Sequence, residues 1–207
     1  EEVVRIWGFE RLPVRPPHAA SPMRPQPEGR RSLSAIKRSL AARDYQEVIN
    51  YSFVASDLDS EFGAGEAIRL LNPIAAQMDV MRTTLWGGLI ETLRANLNRK
   101  AVRVRLFEVG RVFLRDASIV AGPQQVQGVS QPRRLGLLAF GQQLDEQWGA
   151  SARQVDFFDL KGDLQAVAGA ALTAQPAPHV ALHPGRSARL LLAGEPIGWI
   201  GELHPRW

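Results

Sequence analysis

Apolar and polar residues alternate with two different periods along the chain, and the two periods separate helices from strands. Apolar residues at helical spacing predict three helices, over residues 32–43, 85–100 and 156–172. Alternation and short apolar runs predict strands over residues 47–54, 67–71, 102–114 and 134–142, and a hairpin over 188–203 that turns near Gly194. Strands joined by hairpins, with helices between them, favour an α+β domain in which helices cover a largely antiparallel sheet.

The longest predicted strand does not alternate regularly. Within residues 102–114 the alternation slips at Leu106–Phe107, which indicates either a bulge or burial on both faces of the strand. Residues 116–132 follow it without any periodicity and therefore predict a mobile loop.

Glycine and proline mark the candidate domain boundaries. Residues 1–12 predict the C-terminal end of a preceding domain, in which Gly8 ends a helix. Residues 13–30 are rich in proline, which donates no backbone hydrogen bond, and we expect them to form an extended linker. The main domain is then residues 31–207. Because the chain begins within a predicted helix, we expect it to be a piece of a longer polypeptide.

Composition limits the possible functions without selecting one. Hydrophobic residues make up 45% of the chain, which is enough to bury a core. The net charge of +4 comes from 25 basic and 21 acidic residues that are interspersed, which favours a solvated surface over a nucleic-acid site. The absence of cysteine excludes disulfides and thiolate chemistry. With no apolar run long enough to span a bilayer and no signal peptide, we expect a cytoplasmic protein without a membrane partner.

The common catalytic patterns are missing from the sequence. It contains no Walker loop, GxGxxG or GxSxG stretch, and its histidines lack the spacing of metal ligands. We expect structural or solvent-facing roles for the four histidines, which are His18, His179, His183 and His204. The stretch HPGRSARL, which begins at His183, would allow an arginine to contact a phosphate. The favoured interpretation is a strand entrance, with a Pro-Gly turn and Arg186 at the sheet edge.

Six stretches carry a specific resemblance. They are EEVVRIWGFERLP, NPIAAQMDVMRTTLWGGLIETLRANLNR, VRLFEVGRVF, VDFFDLKGDL, HPGRSA and IGWIGELHP. In this order they resemble the β-subunit family of bacterial phenylalanine–tRNA ligase, over the whole of residues 1–207. The resemblance implies a class II aminoacyl-tRNA synthetase-like fold, with an antiparallel sheet flanked by helices. It also implies a catalytic α subunit as partner in an α2β2 heterotetramer, ATP bound by that α subunit, and tRNA(Phe) bound through the full-length assembly.

The chain departs from active class II enzymes at the charged positions of their motifs. In the active enzymes a Phe-Arg-x-Glu stretch supplies an arginine that contacts the α-phosphate of ATP. The resembling stretch here has Leu114 at the arginine position, with Arg115 one residue further on. Residues 81–85, MRTTL, lack the His and Ser of the matching stretch in the catalytic subunit, and Leu203 stands where the third motif has an arginine. We therefore assign no catalytic or cofactor-binding residue, and we predict a non-catalytic module that scaffolds the α subunit.

The resemblance also implies a partial metal site at the N-terminus. Glu1 and Glu2 match the end of a family pattern that supplies Mg²⁺ ligands shared with the α subunit, and the preceding aspartates of that pattern are not in this chain. We expect a site that is complete only in the full-length assembly, and solvated glutamates in this chain alone.

Residues 32–54 resemble the first motif of the superfamily, which forms subunit contacts. Ile49, Tyr51 and Phe53 alternate with polar residues there, so we expect one of the three in the core and the rest of the region at the border with the α subunit.

Two other functions stay open at this point. One is a ligase domain that still binds ATP and an amino acid, against which the missing arginines argue. The other is a free RNA-binding module, against which the interspersed charge and the lack of an aromatic-rich basic stripe argue.

Overall fold

The computed structural model describes residues 1–16, 31–63 and 65–207. They belong to two compact units, Glu1–Arg31 and Ser32–Trp207. The predicted linker lies mostly outside the described residues, as does His18, so the division of the chain into three segments stays a prediction.

The first unit contains one short helix and one turn of 3₁₀ helix. Helix α1 (Glu2–Trp7) ends at Gly8, whose φ of 105° is a conformation that residues with a side chain rarely adopt. The 3₁₀ helix, Phe9–Arg11, follows directly. The predicted end of a helix at Gly8 is confirmed.

The second unit contains helices and strands in mixed order. The helices are α2 (Leu33–Ala41), α3 (Ser56–Phe62), α4 (Trp86–Asn98) and α5 (Phe157–Ala168). The strands are β1 (Gln46–Glu47), β2 (Phe53–Val54), β3 (Ile68–Arg69), β4 (Val80–Met81), β5 (Val104–Arg111), β6 (Leu114–Arg115), β7 (Val129–Ser130), β8 (Arg133–Phe140), β9 (Leu172–Pro176), β10 (Leu182–Leu192) and β11 (Glu195–Leu203). None of the helices in the described part of the chain is long and apolar enough to cross a membrane.

Hydrogen bonds group these strands into small sheets. Their orders are β1-β5-β8, β11-β10-β9, β2-β4-β3 and β6-β7. Neighbouring strands are antiparallel except β1 and β5, which are parallel. The predicted α+β class with largely antiparallel pairing is confirmed, although the described strands form several small sheets and not one.

Strand β5 lies at the centre of the core and is buried on both faces. Leu106 packs in one apolar cluster with Leu89 and Ile90 of α4, whereas Phe107 packs in another with Leu40 of α2. Burying a side chain of this size contributes roughly 1.5–3 kcal/mol. Since β5 pairs with β8 without a register shift, the slip in alternation reflects burial on both faces and not a bulge.

The prediction of one strand over residues 47–54 is wrong. Only its two ends pair, in β1 and β2, and these belong to different sheets. Ile49 and Tyr51 are 90% and 72% exposed, and Phe53 is only half-buried, so none of the three is a buried core residue. The buried aromatic residue of this region is Tyr45, which precedes β1. The alternation misled because the side chain of Asn50, and not those of Ile49 and Tyr51, finds partners inside the domain.

Other differences arise where backbone geometry ends an element. Helix α5 stops at Ala168, before the predicted end at residue 172, because Gly169 takes a left-handed φ of 69°; the strand β9 that follows was not predicted. Helix α3 was also not predicted, and its seven residues are too few to show a clear period. The predicted loop over 116–132 contains β7, which pairs with β6, and its mobility stays a prediction.

The predicted C-terminal hairpin is confirmed. Leu192 pairs with Glu195, and the two residues between them, Ala193 and Gly194, have positive φ angles of 51° and 86°. Such a two-residue turn matches the twist of the flanking strands. The stretch that begins at His183 lies inside β10, at a register shift against β11, and not at a strand entrance.

Because the left-handed conformation costs an alanine roughly 1–2 kcal/mol, we expect Ala193→Asn to raise the free energy of unfolding by about 1 kcal/mol. Urea denaturation should show a higher midpoint with an unchanged slope. Ala42→Asn is the matched control, since Ala42 is exposed with an ordinary φ of −67° and should gain nothing. An equal response of both variants would contradict the turn geometry.

Candidate functional site

A cleft of about 950 Å³ lies between two strands that are at the edges of their sheets. Residues 133–140 of β8 line one side and residues 196–203 of β11 line the other. Among the described strands, β8 pairs only with β5 and β11 only with β10. The cleft therefore separates two sheet edges, with the N-terminal end of α4 beside it.

The structure brings the sequence-predicted motif positions together in this cleft. Thr83 and Thr84, Leu114 and Leu203 all contribute to its lining, although they are far apart in the chain. None of these side chains carries a charge. Leu203 also packs against the apolar cluster around α4, so the cleft wall is continuous with the core at this position.

Arg115, the neighbour of Leu114, does not line the cleft. Its side chain is exposed and forms an ion pair with Glu66, with 3.5 Å between Nε and Oε2. This guanidinium therefore lies outside the cleft.

Arg82, the one charged residue of the MRTTL stretch, is buried behind the cleft and bonded to other residues of the domain. Its Nη1 lies 2.5 Å from Oε1 of Glu108, and both side chains are less than a tenth exposed. Its Nε donates to the carbonyl of Arg111 at 3.0 Å. Removing two charges from water is costly unless each is paired, and here each is. Arg82 is thus a structural residue whose Nε and Nη1 donate within the fold.

Two further polar side chains extend this pair, and together we call the four residues the polar network: Asn50, Arg82, Thr92 and Glu108. Nδ2 of Asn50 donates to Oε2 of Glu108 at 2.8 Å, and the Thr92 hydroxyl lies 3.0 Å from Oδ1 of Asn50. Sequence reasoning missed this network. A signal for it was present, because a glutamate within the apolar strand β5 requires a buried partner.

Two glycines make room for the polar network. A Cβ atom at Gly110 would lie 2.1 Å from Nη2 of Arg82, and one at Gly88 would lie 2.9 Å from Cβ of Asn50. Both distances are shorter than a side chain tolerates, so glycine is required for close approach at both positions.

On the other side of the cleft, His179 lies between two tryptophans, in an edge-to-face contact with Trp86 and a tilted contact with Trp199. Its ring centroid is 5.0 Å from those of Trp86 and Trp199, and the Arg189 guanidinium lies 4.6 Å from the Trp199 ring. Burial lowers the pKa of His179, and its Nδ1 accepts a hydrogen bond from the amide of Ala181 at 3.2 Å. His179 thus makes ring contacts and accepts a backbone hydrogen bond, which is one of the roles that the sequence predicted for the histidines.

The remaining candidates also make contacts within the fold. Nδ1 of His183 accepts from the amide of Gly185 at 3.1 Å, and Arg186 pairs with Glu202 of β11 at 2.6 Å. Both are contacts within the fold, although the stretch lies inside the central strand of its sheet and is not the strand entrance with a sheet-edge arginine that the sequence predicted.

Glu1 and Glu2 lie at an exposed terminus, where Glu2 pairs with Arg5 at 3.4 Å. In the part of the chain that the structure describes, no cluster of three or more metal-ligating side chains occurs. Two adjacent carboxylates do not make a complete Mg²⁺ site, so their role stays a prediction.

Comparison with known proteins shows matches to one protein family. The family model described as the phenylalanyl tRNA synthetase beta chain CLM domain matches residues 12–207. The chain is 60% identical to the phenylalanine–tRNA ligase beta subunit of Burkholderia lata, 56% to that of Burkholderia pseudomallei and 54% to that of Ralstonia nicotianae. Each match covers all of this chain but only 26% of the relative. Among solved structures, a pyrrolysyl tRNA synthetase of Desulfitobacterium hafniense matches with a TM-score of 0.51 and 15% identity, over 79% of this chain and 54% of that one, a likeness of fold alone.

Breaking the buried ion pair should be much more costly than breaking an exposed one. Arg82→Met leaves Glu108 charged and unpaired, and should lower the free energy of unfolding by about 3–5 kcal/mol. Arg186→Met removes the same group from the exposed pair with Glu202 and should cost less than about 1 kcal/mol. Chemical denaturation of both variants measures the difference, and similar losses would contradict the structural role of Arg82.

Proposed function

The chain belongs to the phenylalanyl-tRNA synthetase β chain family, and from this premise we propose that it is the synthetase-like module of a phenylalanine–tRNA ligase β subunit. In this proposal the module is not catalytic. It scaffolds the α subunit, which binds ATP and attaches phenylalanine to tRNA(Phe). The chain spans about a quarter of the length of its relatives, so the activity belongs to an assembly of which this module is one part.

The observation that carries the proposal is that Leu114 and Leu203, at the motif positions, bring no charge to the cleft; its lining arginines, Arg133, Arg134 and Arg189, come from β8 and β10 instead. Adenylation places additional negative charge on the α-phosphate of ATP, and active enzymes stabilise that charge with preorganised donors. Here Leu114 and Leu203 offer neither charge nor hydrogen bond, while Arg82 is paired with Glu108 and Arg115 with Glu66. The apolar skeleton of the motifs is present without its chemistry.

The proposed fold is a class II synthetase-like antiparallel sheet flanked by helices. Its support is that the edge strands β8 and β11 face each other across one cleft, so that pairing between them would join the two sheets. The fold likeness to a pyrrolysyl tRNA synthetase agrees with this proposal.

The proposed partner is the α subunit, in an α2β2 heterotetramer, with residues 32–54 at the border. In support, Ile49 and Tyr51 expose apolar side chains side by side in this region. Contact with tRNA(Phe) would occur through the full-length assembly, in the cytoplasm. Glu1 and Glu2 would join Mg²⁺ ligands from the rest of that assembly, where hard carboxylate oxygens suit this cation.

Association with the α subunit is tested with the full-length β subunit. We expect the two subunits to sediment together, and amide hydrogen exchange within residues 32–54 to slow when α is added, because an interface excludes water from the backbone. Exchange that slows elsewhere but not in this region would place the interface on another surface.

The absence of catalysis is tested by phenylalanine-dependent pyrophosphate exchange. Losing one preorganised donor costs about 2.7–4 kcal/mol in the transition state, so with two leucines at donor positions this chain alone should give no exchange. Adding α should restore it. Exchange by the isolated chain that disappears in Arg115→Ala would instead establish the alternative, a ligase domain that still binds ATP and an amino acid.

A further inference from the structure

The segment from Val48 to Ser52 alternates between half-buried and exposed residues, and its backbone is hydrogen-bonded to the rest of the domain near its two ends. The amide of Val48 donates to the carbonyl of Phe107 at 2.9 Å, and the carbonyl of Ser52 accepts from the amide of Arg82 at 2.9 Å. Within the described part of the chain, Ile49 and Tyr51 make no backbone hydrogen bond. The conformation of the three middle residues therefore depends on side chains.

Asn50 provides that attachment. Its side-chain amide bridges Glu108 of β5, at 2.8 Å, and Thr92 of α4, at 3.0 Å. In addition, Nη1 of Arg82 lies 3.5 Å from the backbone carbonyl oxygen of Asn50. Gly88 leaves the space that the side chain fills. One half-buried asparagine thus joins the middle of the segment to both a helix and a strand of the core.

Holding Asn50 inward determines what its neighbours do. In an extended chain successive side chains point to opposite sides, so Ile49 and Tyr51 must point outward together. Their exposure of 90% and 72% agrees with this geometry. An apolar pair on an unattached loop would lose binding free energy when it is ordered at an interface, whereas a pair held in place beforehand loses less.

We infer that Asn50 is a positioning residue that holds Ile49 and Tyr51 in a preformed apolar contact surface for the α subunit. The inference rests on the proposed function, in which a β-subunit module associates with α, and it adds the residue on which the shape of the contact surface depends. The partner surface should be apolar, with room for one branched and one aromatic side chain.

The test measures the dissociation constant of full-length β variants with the α subunit, together with hydrogen exchange of residues 48–52 in free β. Tyr51→Ala removes a contact, whereas Asn50→Ala and Thr92→Val remove only polar groups behind the surface. We expect each to weaken binding by about tenfold. Exchange at the Val48 amide, which donates to the carbonyl of Phe107, should be faster in Asn50→Ala and Thr92→Val but unchanged in Tyr51→Ala.

Two controls separate positioning from general destabilisation. Thr92→Ser keeps the hydroxyl and should bind α as the unaltered protein does. Asn98→Ala removes an exposed asparagine from the same helix and should change neither affinity nor exchange in the segment. If Asn50→Ala fails to fold, the comparison of Thr92→Val with Thr92→Ser still decides.

The outcomes distinguish this inference from the proposed function. If Tyr51→Ala weakens binding while Asn50→Ala and Thr92→Val do not, the positioning role is wrong and the docking surface remains. If neither Tyr51→Ala nor Ile49→Ala affects a complex that still forms, the inference fails because α binds elsewhere. If β and α form no complex at all, the proposed function itself fails.

Discussion

The buried ion pair between Arg82 and Glu108 is the constraint on which much of the second unit depends. Arg82 follows β4 and Glu108 lies within β5, so the pair joins the small sheet of β2, β3 and β4 to the central strand of the core. The backbone of Arg82 adds to this connection, since its amide donates to Ser52 and its carbonyl accepts from Phe113. Replacing either residue alone would leave an unpaired charge in an apolar interior, which is strongly destabilising.

Arg82 of this pair and the threonines that follow it have different surroundings. Arg82 and Glu108 meet behind the cleft, where Gly110 leaves room for the guanidinium. From the MRTTL stretch, Thr83, Thr84 and Leu85 line the cleft itself. The buried ion pair can therefore stabilise the fold without placing a charge in the cleft.

The same network connects the core to the outer surface. Glu108 accepts from Arg82 through one carboxylate oxygen and from Asn50 through the other. A single buried carboxylate thus links the interior ion pair to the extended segment that carries Ile49 and Tyr51. Stability of the core and presentation of the exposed apolar pair are in this way two consequences of one set of hydrogen bonds.

Local sequence determined the elements whose cause is local. The period of apolar residues in α4, the Ala-Gly turn of the last hairpin and the slip in alternation at Leu106–Phe107 all follow from interactions between neighbours or from burial on both faces. The family, and with it the absence of charged motif residues, could also be read from the order of six stretches.

Only the tertiary structure decided which side of residues 48–52 faces inward. Alternation alone favours burying Ile49 and Tyr51, but the partners of Asn50 are 58 and 42 residues away in sequence, and no local pattern reports them. The convergence of Thr83, Leu114 and Leu203 on one cleft has the same origin. A buried carboxylate without a hydrogen-bond partner costs more free energy than an isoleucine side chain left in water. Asn50 therefore faces inward and Ile49 outward, through contacts that exist only once β5 and α4 have packed together.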